Sequence, residues 1–294
     1  MIDIIASPDK TREILKENKI RLSKGLGQNF LIDRKIVDII IETATLTAND
    51  SVIEIGPGIG SLTQGILERL SSGSLMAIEK DSRLIKVLTA QFSGYNNLDL
   101  INKDVLDIEW HSFFREKKLK DGEVKVLANL PYYITTPIIM SLLESNVLFK
   151  QLIFMVQREV AERMAASPGG KEYGVLSIAV QYFARVEIVH EVSPSVFIPR
   201  PDVYSTVITL YPHQKPSVEV VDRQFFFQVV RAIFQQRRKN IKNGLSKAAN
   251  LNFTREEVVS SLAEVGIDPR IRGEKLSISV LAKLSNSLWE KNNK

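Results

Sequence analysis

Four consecutive residues, Asn129-Leu130-Pro131-Tyr132, bring together groups that can hold a flat nitrogen base. The Asn129 side-chain oxygen and the Leu130 carbonyl can both accept hydrogen bonds from one exocyclic amino group, while Tyr132 stacks against the ring. Pro131 stiffens the turn that sets these groups apart. The plainer alternative is a strand end and a proline turn, with Tyr132 and Tyr133 as packing residues. Two acids fall at related places. Glu79 ends the apolar run 75–78, Asp104 follows the run 98–101, and Asn129 follows 124–128. Steps of 25 residues separate Glu79 from Asp104 and Asp104 from Asn129. Upstream, Gly56-Pro57-Gly58-Ile59-Gly60 offers a turn where backbone can approach a ligand without Cβ clashes. An acid 23 residues beyond Gly56 is placed to bind a ribose diol.

The elements that must carry these groups follow from the apolar patterning. A step of 25 residues is one strand-helix unit, so the glycine turn, both acids and Asn129 belong at the carboxyl ends of parallel strands, where doubly wound sheets bind ligands. Strands are expected at 51–55, 75–78, 98–101, 124–128 and 151–156. A polar helix over 157–164, a loop at Ser167-Pro168-Gly169-Gly170 and a helix over 175–183 come next. Runs 186–189 and 206–210 read as two more strands. Between them lies Phe197-Ile198-Pro199-Arg200-Pro201, a stiff loop that can hold the Phe197 ring in place, and a base sandwiched between Tyr132 and Phe197 is the expectation. Near the N-terminus a basic lead-in (Lys16, Lys19, Arg21, Lys24) precedes Gly25-Leu26-Gly27-Gln28-Asn29-Phe30-Leu31, which reads as a fitted loop or as a flexible tail. Asp33 can cap a helix whose apolar positions Ile36, Val37, Ile40, Ile41 and Ala44 recur at helical spacing.

Composition narrows the chemistry. The 294 residues contain no cysteine and only three histidines, which excludes thiolate zinc sites and cysteine nucleophiles and makes a poor metal set. No apolar run approaches the roughly 20 residues of a membrane span, and Asp3, Asp9 and Lys10 stand where a signal peptide needs an apolar core. A cytoplasmic protein with neither metal nor membrane partner is expected. The net charge of +5 is clustered: between Arg223 and Arg255 there is no acid, while Arg231, Arg237, Arg238, Lys239, Lys242 and Lys247 fall within the stretch. Val230, Phe234, Ile241 and Leu245 are expected to share one helical face, with Arg231, Arg238 and Lys242 beside it as a basic ribbon for phosphates.

Taken together, the motifs resemble the ribosomal RNA adenine N6-dimethyltransferases, a family of Rossmann-like class I methyltransferases that use S-adenosyl-L-methionine. The likeness spans nearly the whole chain. It rests on Gly27-Gln28-Asn29-Phe30-Leu31, Glu54-Ile55-Gly56-Pro57-Gly58-Ile59-Gly60, Glu79-Lys80-Asp81, Asp104-Val105-Leu106, Asn129-Leu130-Pro131-Tyr132-Tyr133, Phe197-x-Pro-x-Pro-x-Val-x-Ser205 and Arg237-Arg238-Lys239-Asn240. It implies an α/β fold, a seven-stranded sheet with helices on both faces and the last strand antiparallel, plus a small all-α C-terminal domain. By the same likeness Gly56 and Gly58 meet the methionine part of the cofactor, Glu79 its ribose and Asp104 its adenine, while Asn29, Leu31 and Asn129 close the pocket.

The domain boundaries expected are 1–32 for the basic segment and cofactor-closing loop, 33–212 for the methyltransferase domain, and 213–294 for a helical RNA-binding domain. Arg231, Arg237, Arg238, Lys239 and Lys242 are its candidate contacts. The resemblance further implies dimethylation of two adjacent adenosines in the 3′-terminal hairpin loop of 16S ribosomal RNA by a monomer, acting on the immature small subunit. Three alternatives stand beside it: Erm-type modification of large-subunit RNA, a non-catalytic RNA-binding or transcription accessory protein on the same fold, and an NAD-dependent dehydrogenase, which shares the glycines and Glu79 but not the Asn129 motif.

Overall fold

The computed structural model describes residues 3–20, 29–248 and 251–292. Asn29, Phe30 and Leu31 of the expected fitted loop fall within it; residues 25–28, Arg21 and Lys24 lie outside the described residues. The chain divides into two compact units, one of Met1–Ala161 with Arg185–Pro212 and one of Glu162–Ala184 with His213–Lys294.

The first unit begins with helix α1 (Pro8–Glu17), the short strand β1 (Phe30–Leu31) and helix α2 (Arg34–Thr43). Asp33 caps α2 as expected, its carboxylate accepting from the Lys35 amide at 2.8 Å. Strand and helix then alternate: β2 (Ser51–Ile55), α3 (Ser61–Leu67), β3 (Ser74–Glu79), α4 (Ser82–Gln91), β4 (Leu98–Asn102), α5 (Trp110–Glu116), β5 (Val124–Asn129), α6 (Thr135–Leu143) and β6 (Gln151–Gln157). Helix α7 (Arg158–Ala165) and helix α8 (Val175–Phe183) precede strands β7 (Ala184–Val192), β8 (Phe197–Ile198) and β9 (Ser205–Pro212).

Seven strands form one sheet in the order β4-β3-β2-β5-β6-β9-β7, with β2 parallel to β3 and β5, and β9 antiparallel to β6. Consecutive residues of β5 and β6 are buried without alternation, which requires cover on both faces of the sheet. Val52, Leu75, Leu127 and Ile153 share one core with residues of α2, α3 and α4, including Val37, Ile66 and Leu88. Gly65 lets α2 and α3 approach closely, since a Cβ there would lie 2.6 Å from Val37. Ile55 pairs with both Ile78 and Ala128, and Glu79 with Asn102. The ends of β2, β3 and β5 therefore share one edge. The chain order runs outward from β2 in both directions, and this reversal opens the crevice in which such sheets bind ligands.

In the second unit α8 packs with α9 (Arg223–Gln235), α10 (Ile241–Ser246), α11 (Arg255–Glu264) and α12 (Ile278–Asn292) around one aromatic-rich core. Residues 162–184, which the linear reading places inside the methyltransferase domain, belong to this unit because Tyr173, Ile178 and Tyr182 bury themselves with Phe226, Phe227 and Phe234. Val230, Phe234, Ile241 and Leu245 are all buried in this core, but on two helices rather than one face of a single helix. The chain leaves helical geometry at Gln236 (φ −122°, ψ 59°) and starts again where the extended Asn240 caps α10, accepting from the Asn243 amide at 2.9 Å. The basic ribbon is accordingly broken by a turn holding Arg237, Arg238 and Lys239.

Candidate functional site

At the shared edge of β2, β3 and β5 a cavity of about 350 Å³ is lined by Asn29, Leu31, Gly56, Gly58, Glu79, Asp104, Asn129, Leu130, Pro131 and Tyr132. Residues spread over a hundred positions of sequence thus converge on one pocket. Its volume lies in the range of small-molecule sites.

The glycine turn is held down by Gly56 N–H, which donates to the Ile78 carbonyl at 2.9 Å. Gly56 has φ +68° and nothing within 4 Å of where a Cβ would sit, so its backbone stands open to a ligand. Glu79 ties this turn to the next strand: its carboxylate accepts from the Gly58 amide at 3.2 Å and the Asp81 amide at 2.8 Å. Burial pushes the Glu79 carboxyl above its ordinary pKa. Asn102, which pattern reading did not single out, secures the same corner by donating to the Glu79 carbonyl at 2.8 Å.

Asp104 differs in its charge environment. Lys80 donates to one carboxylate oxygen at 2.7 Å and the Leu106 amide to the other at 3.0 Å, and the lysine above all holds the carboxyl below its usual range. Two acids at equivalent strand ends are therefore poised oppositely. Lys80 stands in the Glu79-Lys80-Asp81 motif, but its contact with Asp104 joins two loops and leaves no local sequence signal.

Asn129 donates its side-chain N–H to the Asn29 carbonyl at 2.9 Å. A carbonyl can only accept, so the amide nitrogen must face Asn29, which leaves Oδ1 as the side-chain acceptor on the pocket wall. The Leu130 amide is used by the Met155 carbonyl at 3.1 Å. Pro131 starts a turn in which its carbonyl accepts from the Ile134 amide at 3.2 Å and the Thr135 hydroxyl at 3.0 Å. The Tyr132 hydroxyl lies 2.6 Å from Ser205 Oγ, which fixes the ring by its far end. Exposed Tyr133 also lines the cavity.

Phe197 does not join them. Its ring is 2% exposed, packed in the core with Leu31 and Val192, and absent from the cavity wall. Pairing of β1 with β8 sets Phe197 opposite Leu31, and burial of an apolar ring there is worth about 1.5–3 kcal/mol. The expected sandwich of Tyr132 and Phe197 is not formed in this structure.

Among the basic candidates, Arg231, Arg238 and Lys239 are exposed and Lys242 is half-buried. Arg237 is exposed as well, and one edge of its guanidinium has protein partners. Its guanidinium donates to the carbonyls of Lys171 at 2.6 Å and Tyr173 at 3.1 Å, with Glu274 at 3.7 Å, so it staples the loop before α8. Among the described residues no group of acids and histidines could hold a metal ion, and no helix is long and apolar enough to cross a membrane.

The family model for ribosomal RNA adenine dimethylase matches residues 19–288. A ribosomal RNA small subunit methyltransferase A from Halothermothrix orenii is 57% identical over 291 residues, covering 99% of this chain and 96% of the relative. That of Bacillus cytotoxicus is 46% identical over 286 residues, covering 97% of each. Among solved structures, a dimethyladenosine transferase from Plasmodium falciparum superposes with a TM-score of 0.74 at 27% identity, covering 90% of this chain and 98% of that one. The 23S rRNA methyltransferase ErmE superposes with a TM-score of 0.62 at 25% identity, covering 90% of this chain and 100% of that one.

Proposed function

The chain belongs to the ribosomal RNA adenine dimethylase family, and from that premise we propose that it dimethylates N6 of two adjacent adenosines in the 3′-terminal hairpin loop of 16S ribosomal RNA. Its substrate is then the immature small subunit, its place the cytoplasm and its working form the monomer. The relatives named for the small subunit, at 57% and 46% identity, support this target over the large-subunit target in the name of ErmE, at 25%.

The family's cofactor is S-adenosylmethionine, and the pocket fits it. A glycine turn open at Gly56 suits the methionine part, and carboxylates at the ends of β3 and β4 suit ribose hydroxyls and an adenine amino group. Glu79 would hold the ribose, Asp104 the adenine, and Asn29, Leu31, Gly58 and Asn129 would enclose the rest. When bound, the cofactor supplies a methyl group already activated by its sulfonium charge.

The observation that carries the reading is the pinned orientation of Asn129. Its Oδ1 and the Leu130 carbonyl form an acceptor pair for the two N6 hydrogens of an adenine. Drawing on both hydrogens favours a pyramidal nitrogen and aims its lone pair, which is the main task in a transfer that needs alignment more than a strong base. Tyr132, tethered to Ser205, offers its face to the extruded ring. Pro131 and the apolar wall exclude water. After one methylation a single N–H remains, so one acceptor suffices for the second. Arg231, Arg238, Lys239 and Lys242 would contact RNA phosphates. A loop target suits this mechanism because unstacked bases are easier to extrude than paired ones.

Mass spectrometry of ribosomal RNA fragments tests the target. Undermethylated small subunits and, separately, large-subunit RNA are incubated with the chain and S-adenosylmethionine. Paired dimethyladenosines in the small-subunit hairpin loop are expected, and their appearance only in the large-subunit RNA would overturn the assignment.

A further inference from the structure

Glu54 is a fully buried carboxyl group on the wall of the cofactor pocket, 1% exposed. It sits on β2 one residue before the strand's end, between β3 and β5. The partners it has are neutral donors from α3. The Thr63 hydroxyl donates to Oε2 at 2.7 Å, and the Thr63 amide adds a second hydrogen bond. From β3 the group that faces it is another carboxyl, Glu79, close enough to repel a charge on Glu54. From β5 the register neighbour is apolar Leu127.

The cations of the pocket wall are engaged with other acids or stand apart. Lys80 pairs with Asp104, Arg83 with Asp81, and Lys103 is exposed at the rim. A carboxylate sealed from water, beside a second acid and without a cation, is unstable as the ion. Burial therefore pushes the Glu54 carboxyl up to about 8. In the empty pocket this acid ties β2 to α3 through Thr63, a task that needs no ionisable group. Its value lies in a ligand that brings positive charge.

We propose that Glu54 is the charge-selective residue of the pocket: it is a neutral acid when the pocket is empty and gives up its proton to solvent when a sulfonium ligand enters. The inference rests on the cofactor reading above and deepens it. The O–H bond of Glu54 breaks, the proton passes to the buffer, and the carboxylate left behind balances the ligand's extra positive charge. S-adenosylhomocysteine, the product, is a thioether without that charge, so Glu54 favours cofactor over product and its contribution vanishes once the methyl group has left.

Calorimetric titration of the full chain with S-adenosylmethionine, in buffers of different ionisation enthalpy, reads the proton directly. Release of about one proton per cofactor is expected at pH 7, fading as pH rises through about 8, with a smaller release for S-adenosylhomocysteine. In Glu54→Gln, which keeps the shape and neutrality of the empty-pocket acid, the Glu54 proton is missing from the count. The ratio of cofactor to product affinity then shifts towards product by about tenfold, or ~1.4 kcal/mol. Tight binding of the cofactor with no proton exchange would overturn the inference and leave the cofactor reading standing. Equal release by the wild-type chain and Glu54→Gln would overturn it too, assigning the proton to another group. No binding of S-adenosylmethionine would defeat the cofactor reading, and this inference with it.

Discussion

The side chain of Asn129 and the backbone carbonyl of Asn29, one hundred positions apart, share a 2.9 Å hydrogen bond that decides which way the Asn129 amide points. Replacing Asn129 by Ala removes an acceptor aimed at the reacting nitrogen, and kcat is expected to fall ~10²-fold, the scale on which preorganised polar groups act. Asn129→Asp is expected to do no better, because a carboxylate has no N–H for the Asn29 carbonyl and the two oxygens repel. Single-turnover methylation of RNA measures both, and near-parental rates for Asn129→Asp would refute the orienting role.

Glu79 serves the glycine turn and the proposed ribose contact together. Glu79→Ala should weaken S-adenosylmethionine binding by ~1.5–3 kcal/mol, the range for hydrogen bonds to a charged group. Calorimetry with unchanged affinity would leave Glu79 a purely structural tether between Gly58 and Asp81.

Phe197 is placed by the structure as a core residue. Phe197→Ala is expected to cost ~3–5 kcal/mol of stability in denaturant unfolding, as truncation of a buried ring does. Loss of activity with stability unchanged would instead mean that the ring works at the pocket.

The basic residues of the second unit separate into two sets. Replacing Arg231, Arg238 and Lys242 together should flatten the plot of log RNA affinity against log salt by ~2–3 units, as when three phosphate contacts disappear. Arg237→Ala should mainly loosen the loop bearing Lys171 and Tyr173, seen as faster amide exchange there. A slope unaltered by the triple replacement would show those charges to be merely solvated.

Glu54 makes stability pH-dependent in a direction opposite to that of a paired carboxylate. Its folded pKa of about 8 exceeds the ordinary 4.5, so the native state binds a proton that the unfolded chain has lost between those values. Stability from this group is complete below pH 4.5 and declines as pH rises towards 8. The ligand-free wild-type chain should therefore lose stability over that window, and Glu54→Gln should flatten the decline. Identical pH profiles would show that the carboxyl is already ionised.

Local pattern was enough for the seven strands of the large sheet, for α2 with its Asp33 cap and for α8, but not for the short pair β1 and β8. It also placed Gly56, Glu79, Asp104 and Asn129 at one edge of a parallel sheet. Strand burial and helix capping are read from neighbours a few residues away, and a repeat of 25 residues leaves little choice about where each strand ends. Tertiary structure decided what depends on distant partners. Phe197 is buried in the core because β8 pairs with β1, and Arg237 bonds to carbonyls 64 and 66 positions away that no neighbour in sequence announces. Residues 162–184 joined the helical unit because their aromatic rings found better burial there than sequence order implied. The pinned amide of Asn129 and the sealed carboxyl of Glu54 belong to the same class: the residue types were visible, but hydrogen-bond direction and desolvation exist only once remote segments have closed around them.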